Sequence, residues 1–475
     1  MLTFSRHETE PLGADRVRRL LTVVLLIALV LSGLHALGVD KFSLRLEGEP
    51  VGFQANMAQA FVAGDLDLGP APAELMALSD PWDPDANRSF RYDHALHDYA
   101  YFDGRIHSPF GPTPALLAHV PYRLLTGNAL DPSVTTFLWS IGLFMASFTA
   151  YRMLVARFAH HRPWWADLAA VAALGLAGPV LWITSIGRSY EESIACGAFL
   201  LMFAIALLSR ATSDPDRPSA AVLAGAGLAL GLAAGARPHL IGAGFLVALT
   251  ALWLIRRRPQ HWRLGLIALS GPYVVVILAL LAYNHVRFGS PFEFGTSFQM
   301  AGMDLREYPL FDPVHLAPNL ADYLFGGPRL QADWPHVHLL ENTFANDPSH
   351  HTNEPVVGAL TAFPVIAIGV RCLPMAIRSS SSTRSSIVFQ LGGLLIVALG
   401  LLIAVSLPFS SSTMRYTVDF VPVLALVAVV AAVVAFADTT GTHRLLWRTW
   451  LIALAWSSVV GVLLPLTPCP GTGSC

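Results

Sequence analysis

Charged residues are scarce in this sequence. Only 13% of its 475 residues are Asp, Glu, Lys or Arg, whereas water-soluble domains carry about 25%. Apolar residues make up 54%, and the mean hydropathy is +0.54. The net charge is −2, so the chain also lacks the strongly basic surface that nucleic-acid binders need. The composition therefore predicts a protein embedded in a lipid bilayer and excludes nucleic acid as a partner.

Cysteine and lysine are scarce too. Of the four cysteines, Cys196 and Cys372 lie in or beside apolar runs, and only Cys469 and Cys475 are close enough in sequence to suggest a pair. No CxxC spacing indicates a metal site. Lys41 is the single lysine, so arginine supplies nearly all of the positive charge.

Long apolar runs are abundant. A helix needs roughly 20 apolar residues to cross the hydrocarbon layer. Eleven runs reach or approach this length: 20–37, 133–154, 165–186, 193–208, 220–234, 240–255, 264–283, 355–370, 387–407, 418–437 and 450–466. The first has no small-residue cleavage site after it and is predicted to be a retained span. The sequence thus predicts an all-α polytopic membrane protein, one membrane-embedded domain over residues 1–475, with about 11 transmembrane helices.

The arginines predict the orientation of these spans, because short cytoplasmic loops are enriched in Lys and Arg. With the N-terminus in the cytoplasm, 18 of the 30 Lys and Arg residues fall in cytoplasmic segments, and the C-terminus is extracytoplasmic. Two long loops, 38–113 and 284–354, are then extracytoplasmic. The apolar stretch 114–125 contains Pro121 and Arg123 and is predicted to be a helix in the outer interface.

Polar residues concentrate in the two outer loops and in the outer turns 188–192, 235–239 and 410–417. Five stretches there resemble membrane glycosyltransferases of the GT-C superfamily. They are DYAYFDGRIHSPFGPTPALL from Asp98, YEESIACG from Tyr190, GARPH from Gly235, YNHVRFGSPFEFG from Tyr283 and RYTVDF from Arg415. The resemblance implies inverting transfer of a sugar from a polyprenyl-phosphate donor to an extracytoplasmic glycan, lipid or protein acceptor. It also implies a bacterial inner membrane and contact with membrane lipid.

The resemblance further implies that an acidic residue of the first outer loop acts as the catalytic base. The matching positions are Glu47 and Glu49, with Asp40 nearer the membrane. A positioned base contributes roughly 10² to 10⁴ in rate, because an acceptor hydroxyl is a poor nucleophile. The alternative is that Glu47 and Glu49 are solvated loop acids.

A donor phosphate needs cationic partners, and arginine forks around phosphate oxygens. Arg237, Arg287 and Arg415 are the candidates. Arg237 interrupts an apolar stretch from Ala220 to Ile255, where a charge lies at the interface or is paired. A simpler interpretation of Arg237 is a snorkelling residue at a hairpin tip. The remaining substrate-binding candidates lie in the resembling stretches: Asp98, Asp103, His107 and Glu191.

Three questions stay open from the sequence: the role of Glu191, the cofactor and a rival function. Glu191 and its neighbour Glu192 open a predicted span, where acids also suit the helix dipole. A divalent ion bridging carboxylates and phosphate is the one candidate cofactor, although no ligand spacing supports it. The rival function is a transporter or lipid flippase. Transporters often contain inverted repeats, and we see no matching halves in this chain.

Overall fold

A computed structural model describes residues 52–159, 165–213, 219–257, 262–307, 311–339, 355–379, 384–407, 412–437 and 444–467. The predicted span 20–37 lies outside these residues, as do Glu47 and Glu49. Almost all regular structure in the described part is helical, which confirms the predicted all-α class.

The bundle consists of long apolar helices joined by short connections. Its helices are α5 (Pro132–Phe158), α6 (Trp165–Gly175), α7 (Val180–Ile186), α8 (Ser189–Ser213), α9 (Ala220–Ala236), α10 (Phe245–Arg257), α11 (Trp262–Phe288), α13 (Pro364–Arg371), α14 (Leu373–Ser379), α15 (Arg384–Ser406), α16 (Thr417–Ala437) and α17 (Arg444–Leu463). Short 3₁₀ helices cover Pro238–Gly244, Met414–Tyr416 and Leu464–Leu466.

Smaller elements form a cap on one end of the bundle. They are α1 (Phe53–Ala63), α2 (Ala73–Met76), α3 (Arg88–Tyr92), a π-helical turn (Ala115–His119) that leads into α4 (Val120–Thr126), and α12 (Leu316–Phe325). Two antiparallel hairpins join β1 (Ala100–Phe102) to β2 (Arg105–His107) and β3 (Arg329–Leu330) to β4 (Val337–His338). Further 3₁₀ turns lie at Thr296–Phe298 and Pro313–His315.

Helix α16 lies at the centre of the bundle. Every residue from Thr417 to Ala435 is buried, as expected for a helix that is apolar on all sides. It packs against α13, α14 and α15 on one side and α5, α6 and α8 on another. A polar residue at either end of α16 is therefore enclosed by neighbouring helices.

The number of spans differs from the prediction. Seven helices in the described residues are long and apolar enough to cross a membrane, and the pair α6 and α7, bent by 43°, makes an eighth if it counts as one span. Helix α9 covers the predicted span 220–234 but has only 17 residues. The count of eleven is not confirmed.

The predicted span 355–370 is not one crossing helix. Helix α13 begins only at Pro364 and has 8 residues. Before it, the chain runs along α12, where Ala359 N donates to Tyr323 O at 2.7 Å and Leu360 N donates to Leu324 O at 3.0 Å. The apolar residues of this run are buried against the protein, and hydropathy alone does not separate such a segment from a span.

The two outer segments pack together. Asp98 N donates to Met300 O at 3.0 Å, and Met300 N donates to Tyr99 O at 2.9 Å. Trp82 Nε1 donates to Phe298 O at 3.1 Å. A small apolar core that includes Phe53, Leu75, Phe90, Tyr99, Ile106 and Met300 holds the cap. The long predicted loops therefore converge over the same end of the bundle.

Residues predicted to be cytoplasmic meet at the other end. Arg157 Nη1 donates to Thr212 O at 2.6 Å, and its Nη2 donates to Ser386 Oγ at 3.1 Å. Thr212 lies near the last residue of α8, whereas the cap contacts the first turn of the same helix. At 1.5 Å per residue these two ends are about 30 Å apart, so the polar groups of the two sides are well separated.

Candidate active site at the capped end of the bundle

Arg237 forms a buried ion pair. It follows the last residue of α9, and its Nη2 lies 2.8 Å from Oδ2 of Asp419 in the first turn of α16. His239 Nε2 lies 3.2 Å from the same oxygen. Asp419 is fully enclosed, whereas Arg237 is 14% exposed. Its guanidinium also stacks on the Tyr416 ring at 4.8 Å. Arg237 and His239 thus converge on one buried carboxylate.

Arg415 connects this pair to the cap. Its guanidinium lies 5.6 Å from the centre of the Tyr416 ring and 5.3 Å from that of Tyr190. The Tyr190 hydroxyl donates to Oδ2 of Asp98. Asp98 has a positive φ of 63°, a backbone conformation in which aspartate is enriched among non-glycine residues. The loop thereby places this carboxylate next to the first turn of α8.

Arg287 is buried without a carboxylate partner within the described part of the chain. It lies at the end of α11, is 6% exposed, and donates through Nη2 to the Ser108 carbonyl. The rings of Tyr283 and Phe288 lie 4.5 Å from its guanidinium. Its Nε has no hydrogen-bond partner among the described residues. A buried cation with an unused donor is suited to binding an anion.

His107 lies next to Arg287. It ends β2, is 4% exposed, and its ring centre is 5.1 Å from that of Phe288. Burial, and then the charge of Arg287, lowers the pKa of His107 to about 4. The ring is therefore neutral at pH 7, and its Nδ1 has no partner among the described residues.

The first turn of α8 contacts several segments of the cap. Gln54 of α1 donates through Nε2 to Ser193 Oγ at 2.8 Å. His119 Nε2 lies 2.5 Å from Glu192 Oε1. Gln54, Glu192 and Ser193 are fully buried, and Glu191 is 2% exposed. Apart from Glu191, these side chains hold the cap to the bundle at one place.

The structure brings most of the predicted residues to this end of the bundle. Arg237, Arg415, Asp98 and Glu191 lie around the first turns of α8 and α16, and Arg287 and His107 lie together beneath the cap. The segment Ser108–Phe110 connects the two groups, because Arg287 binds Ser108 and the Phe110 ring is 5.5 Å from that of Tyr190.

Asp103 is the exception. It is exposed at the turn between β1 and β2, with φ of 49° at Asp103 and 71° at Gly104. An Asp-Gly pair with both φ positive is a usual two-residue hairpin turn. No hydrogen bond or ion pair in the described residues links Asp103 to the other candidates.

The divalent ion stays a prediction. Across the described ranges, no three His, Cys, Asp or Glu side chains are grouped closely enough to hold a metal ion. Asp98 accepts a hydrogen bond from Tyr190, whereas His107 packs against the ring of Phe288. These two side chains therefore do not share a ligand set.

Four residues of this region are not among the candidates from the sequence: Asp419, His239, His119 and Tyr416. Asp419 and His239 belong to the stretches quoted above, and Asp419 is ionisable at the start of a strongly apolar run. A charge in an apolar run lies at the interface or is paired, and this holds for Asp419 as it does for Arg237. His119 carries no such signal, because a histidine in an interfacial helix is usual.

The chain was compared with known protein families, curated proteins and solved structures. No protein-family model matches the chain, and no curated protein matches it. The crystal structure of ArnT from Cupriavidus metallidurans bound to undecaprenyl phosphate is similar to it, with 15% sequence identity and a TM-score of 0.43. The alignment covers 96% of this chain and 76% of that chain.

Proposed function

We propose that this protein is a membrane glycosyltransferase that transfers a sugar, with inversion, from a polyprenyl-phosphate donor to an extracytoplasmic glycan, lipid or protein. One observation carries the proposal. Three arginines from separate parts of the chain reach the same end of the bundle, and one of them, Arg287, is buried without a carboxylate partner in the described residues. Such a group of guanidinium ions under a cap suits a phosphate at a membrane surface.

The proposed reaction needs two kinds of group. An acceptor hydroxyl attacks the anomeric carbon, the bond from this carbon to the phosphate oxygen breaks, and polyprenyl phosphate leaves. Charge develops on the leaving phosphate, and preorganised cations that face it lower the barrier. Arg287 is the best suited to this role because it has no carboxylate partner among the described residues, whereas Arg237 shares its charge with Asp419. Arg415 is the further candidate.

The hydroxyl proton requires a base. We assign this role to Glu47 or Glu49, which lie outside the described residues and just before α1. Helix α1 itself contacts the first turn of α8 through Gln54.

The membrane orientation is part of the same proposal. The capped end faces the outside of a bacterial inner membrane, with the N-terminus cytoplasmic and the C-terminus extracytoplasmic. The separation of the two polar ends of α8 supports this arrangement, since Arg157 and its partners lie opposite the cap. Cysteines introduced at exposed cap and opposite-end positions, tested with an impermeant thiol reagent, check it.

A direct assay tests the function. Purified protein is incubated with radiolabelled polyprenyl-phosphate sugars and a bacterial envelope fraction as acceptor, and label transfer is measured. We expect transfer by the wild type, loss of transfer in Glu47→Gln or Glu49→Gln with folded protein retained, and no loss in Arg88→Gln. Arg88 is an exposed cap arginine and serves as the matched control. Full activity in both glutamate variants refutes their assignment as base.

The rival function is tested by the same preparation. A transporter or flippase moves its substrate across sealed vesicles without forming a new glycosidic bond. Uptake of labelled lipid or sugar by vesicles that contain the protein, together with no label transfer, would replace the enzyme proposal by this one.

A further inference from the structure

His119 and Glu192 form a fully enclosed contact between an imidazole and a carboxyl group. Their side chains are 1% and 0% exposed, and Nε2 of His119 lies 2.5 Å from Oε1 of Glu192. The two residues are 73 positions apart in sequence and come from different layers, the cap and the bundle. The proposed chemistry assigns no role to either of them.

A local irregularity of the helix places His119 there. The turn Ala115–His119 is π-helical and leads directly into α4. Such wide turns are rare and are frequently found at functional sites. In this turn Leu116 is 48% exposed and Leu117 40% exposed, while His119 is enclosed. One side of the turn therefore faces outward and the other side carries the histidine to α8.

The pair is an inefficient way to stabilise a fold. Each partner keeps one polar atom, His119 Nδ1 and Glu192 Oε2, without a hydrogen-bond partner among the described residues. Removing such groups from water is costly, and two well-packed apolar side chains often replace a buried ion pair without loss of stability. The pair therefore calls for an explanation beyond packing.

The position of the His119–Glu192 pair provides an explanation. Glu192 lies in the same helical turn as Tyr190, which holds Asp98 by a hydrogen bond and lies 5.3 Å from the Arg415 guanidinium. A shift of this turn would displace Tyr190 and, through it, Asp98 and Arg415. The segment Ala115–Thr126 is attached to the turn through His119, so the pair fixes the cap at the place where a donor phosphate would enter.

We propose that His119 and Glu192 are positioning residues for donor binding. They hold the segment Ala115–Thr126 against the first turn of α8 and thereby keep Tyr190, Asp98 and Arg415 in the arrangement that receives the phosphate. The pair does not touch the reacting atoms. This inference rests on the proposed function, because it names the part of that site which the pair controls.

The test separates donor binding from chemistry. The variants are His119→Gln, Glu192→Gln and the reversed pair His119→Glu with Glu192→His. His94→Gln and Glu74→Gln are matched controls, since both residues are exposed in the cap. For each protein we measure donor KM, kcat, and the Kd for a bacterial polyprenyl phosphate in detergent micelles.

We expect each single variant to raise donor KM and the Kd about tenfold, or about 1.4 kcal/mol, with kcat nearly unchanged. The reversed pair should restore both constants to near the wild-type values, because it re-forms the same contact. The controls should behave as wild type. A residue that only stabilises the fold would lower the amount of active protein without changing donor KM.

Three outcomes overturn the inference. Folded single variants with wild-type KM and Kd remove the role directly, and a folded reversed pair that leaves both constants raised does the same. If the reversed variant does not accumulate, Glu192→Asp is measured instead, because it keeps the carboxylate and lengthens the distance to His119. A wild-type donor KM in Glu192→Asp is the third outcome. A wild type that neither transfers sugar nor binds polyprenyl phosphate refutes the proposed function instead.

Discussion

Nη2 of Arg237 lies 2.8 Å from Oδ2 of Asp419, and this contact joins the end of α9 to the start of the most buried helix, α16. Arg237 is therefore neither a bare phosphate ligand nor a snorkelling residue at a hairpin tip. Asp419 holds its guanidinium beneath the Tyr416 ring. One oxygen of Asp419, Oδ1, and one nitrogen of Arg237, Nε, lack partners among the described residues, so the pair can still bind a further polar group.

The first prediction concerns the stability of this pair. Arg237→Gln leaves the buried Asp419 with only His239 beside it, and Asp419→Asn leaves Arg237, which is 14% exposed, without its carboxylate. Loss of one partner of a fully buried pair costs about 3–5 kcal/mol, and each variant should cost up to this amount. The double variant removes both charges and should cost clearly less than the sum of the single variants. Thermal unfolding of the four proteins in detergent measures the coupling. Additive single effects would contradict a direct interaction in the folded protein.

Arg287→Gln should weaken donor binding without lowering stability. Because no carboxylate in the described residues neutralises Arg287, removal of its charge relieves a desolvation cost, and the melting temperature should stay the same or rise. Donor KM should rise by about tenfold or more, since a charge-assisted contact to phosphate is lost. Arg88→Gln is the control. A large drop in melting temperature with unchanged KM would show that Arg287 is structural.

His107 should make stability depend on pH. Its pKa is about 4 in the folded protein and about 6.5 in the unfolded chain. Between these values the unfolded state binds the additional proton, so stability falls as the pH drops from about 6.5 towards 4. This residue alone should make the protein about 2 kcal/mol less stable at pH 5 than at pH 7.

The control for this prediction is His107→Gln. Unfolding of both proteins is followed at pH 7 and pH 5, and the difference between their pH effects reports His107 alone. Arg287, Asp67 and Arg105 are the charged groups that act on the ring in the folded protein, and all three are unchanged in the variant. Identical pH effects in the two proteins would show that His107 is not buried as a neutral ring.

Gly111→Ala should disrupt the contact between the cap and α9. A Cβ atom at Gly111 would lie 2.0 Å from the main-chain oxygen of Gly235, two residues before Arg237. Main chain cannot move aside as a side-chain end does, and overpacking of this kind costs about 1–3 kcal/mol. Gly242→Ala is the matched control, because a Cβ there meets nothing within 4 Å. Equal melting temperatures for both variants would contradict this close approach.

Much of the fold is predictable because the bilayer restricts what a chain can do. A run of about 20 apolar residues has to satisfy its own backbone, and a helix does so. Runs such as 133–154 and 418–437 accordingly appear as α5 and α16. The prediction of a span over 355–370 is wrong because the backbone of this segment forms hydrogen bonds with α12. A hydropathy window contains no information about such a tertiary contact.

The site was predictable where a charge interrupts an apolar run. Arg237 was selected for this reason, and it lies at the capped end of the bundle against the buried Asp419. Asp103 was selected from a resembling stretch, although its Asp-Gly pair already indicated a hairpin turn. The partners of a site residue were not predictable in this way. Which carboxylate meets Arg237, or which histidine meets Glu192, depends on how helices far apart in sequence pack.

The first turn of α8 also bears on how the protein is made. Its cap partners Gln54, Asp98 and His119 precede it by 139, 92 and 73 residues. At a synthesis rate of roughly 5–20 residues per second, the cap waits several seconds after leaving the ribosome before its attachment points exist. During that interval its apolar core and its buried histidine are exposed to the surroundings. Assembly of the cap is thus a late step in biogenesis, because Met300 and α12, which complete it, follow α8 in the chain.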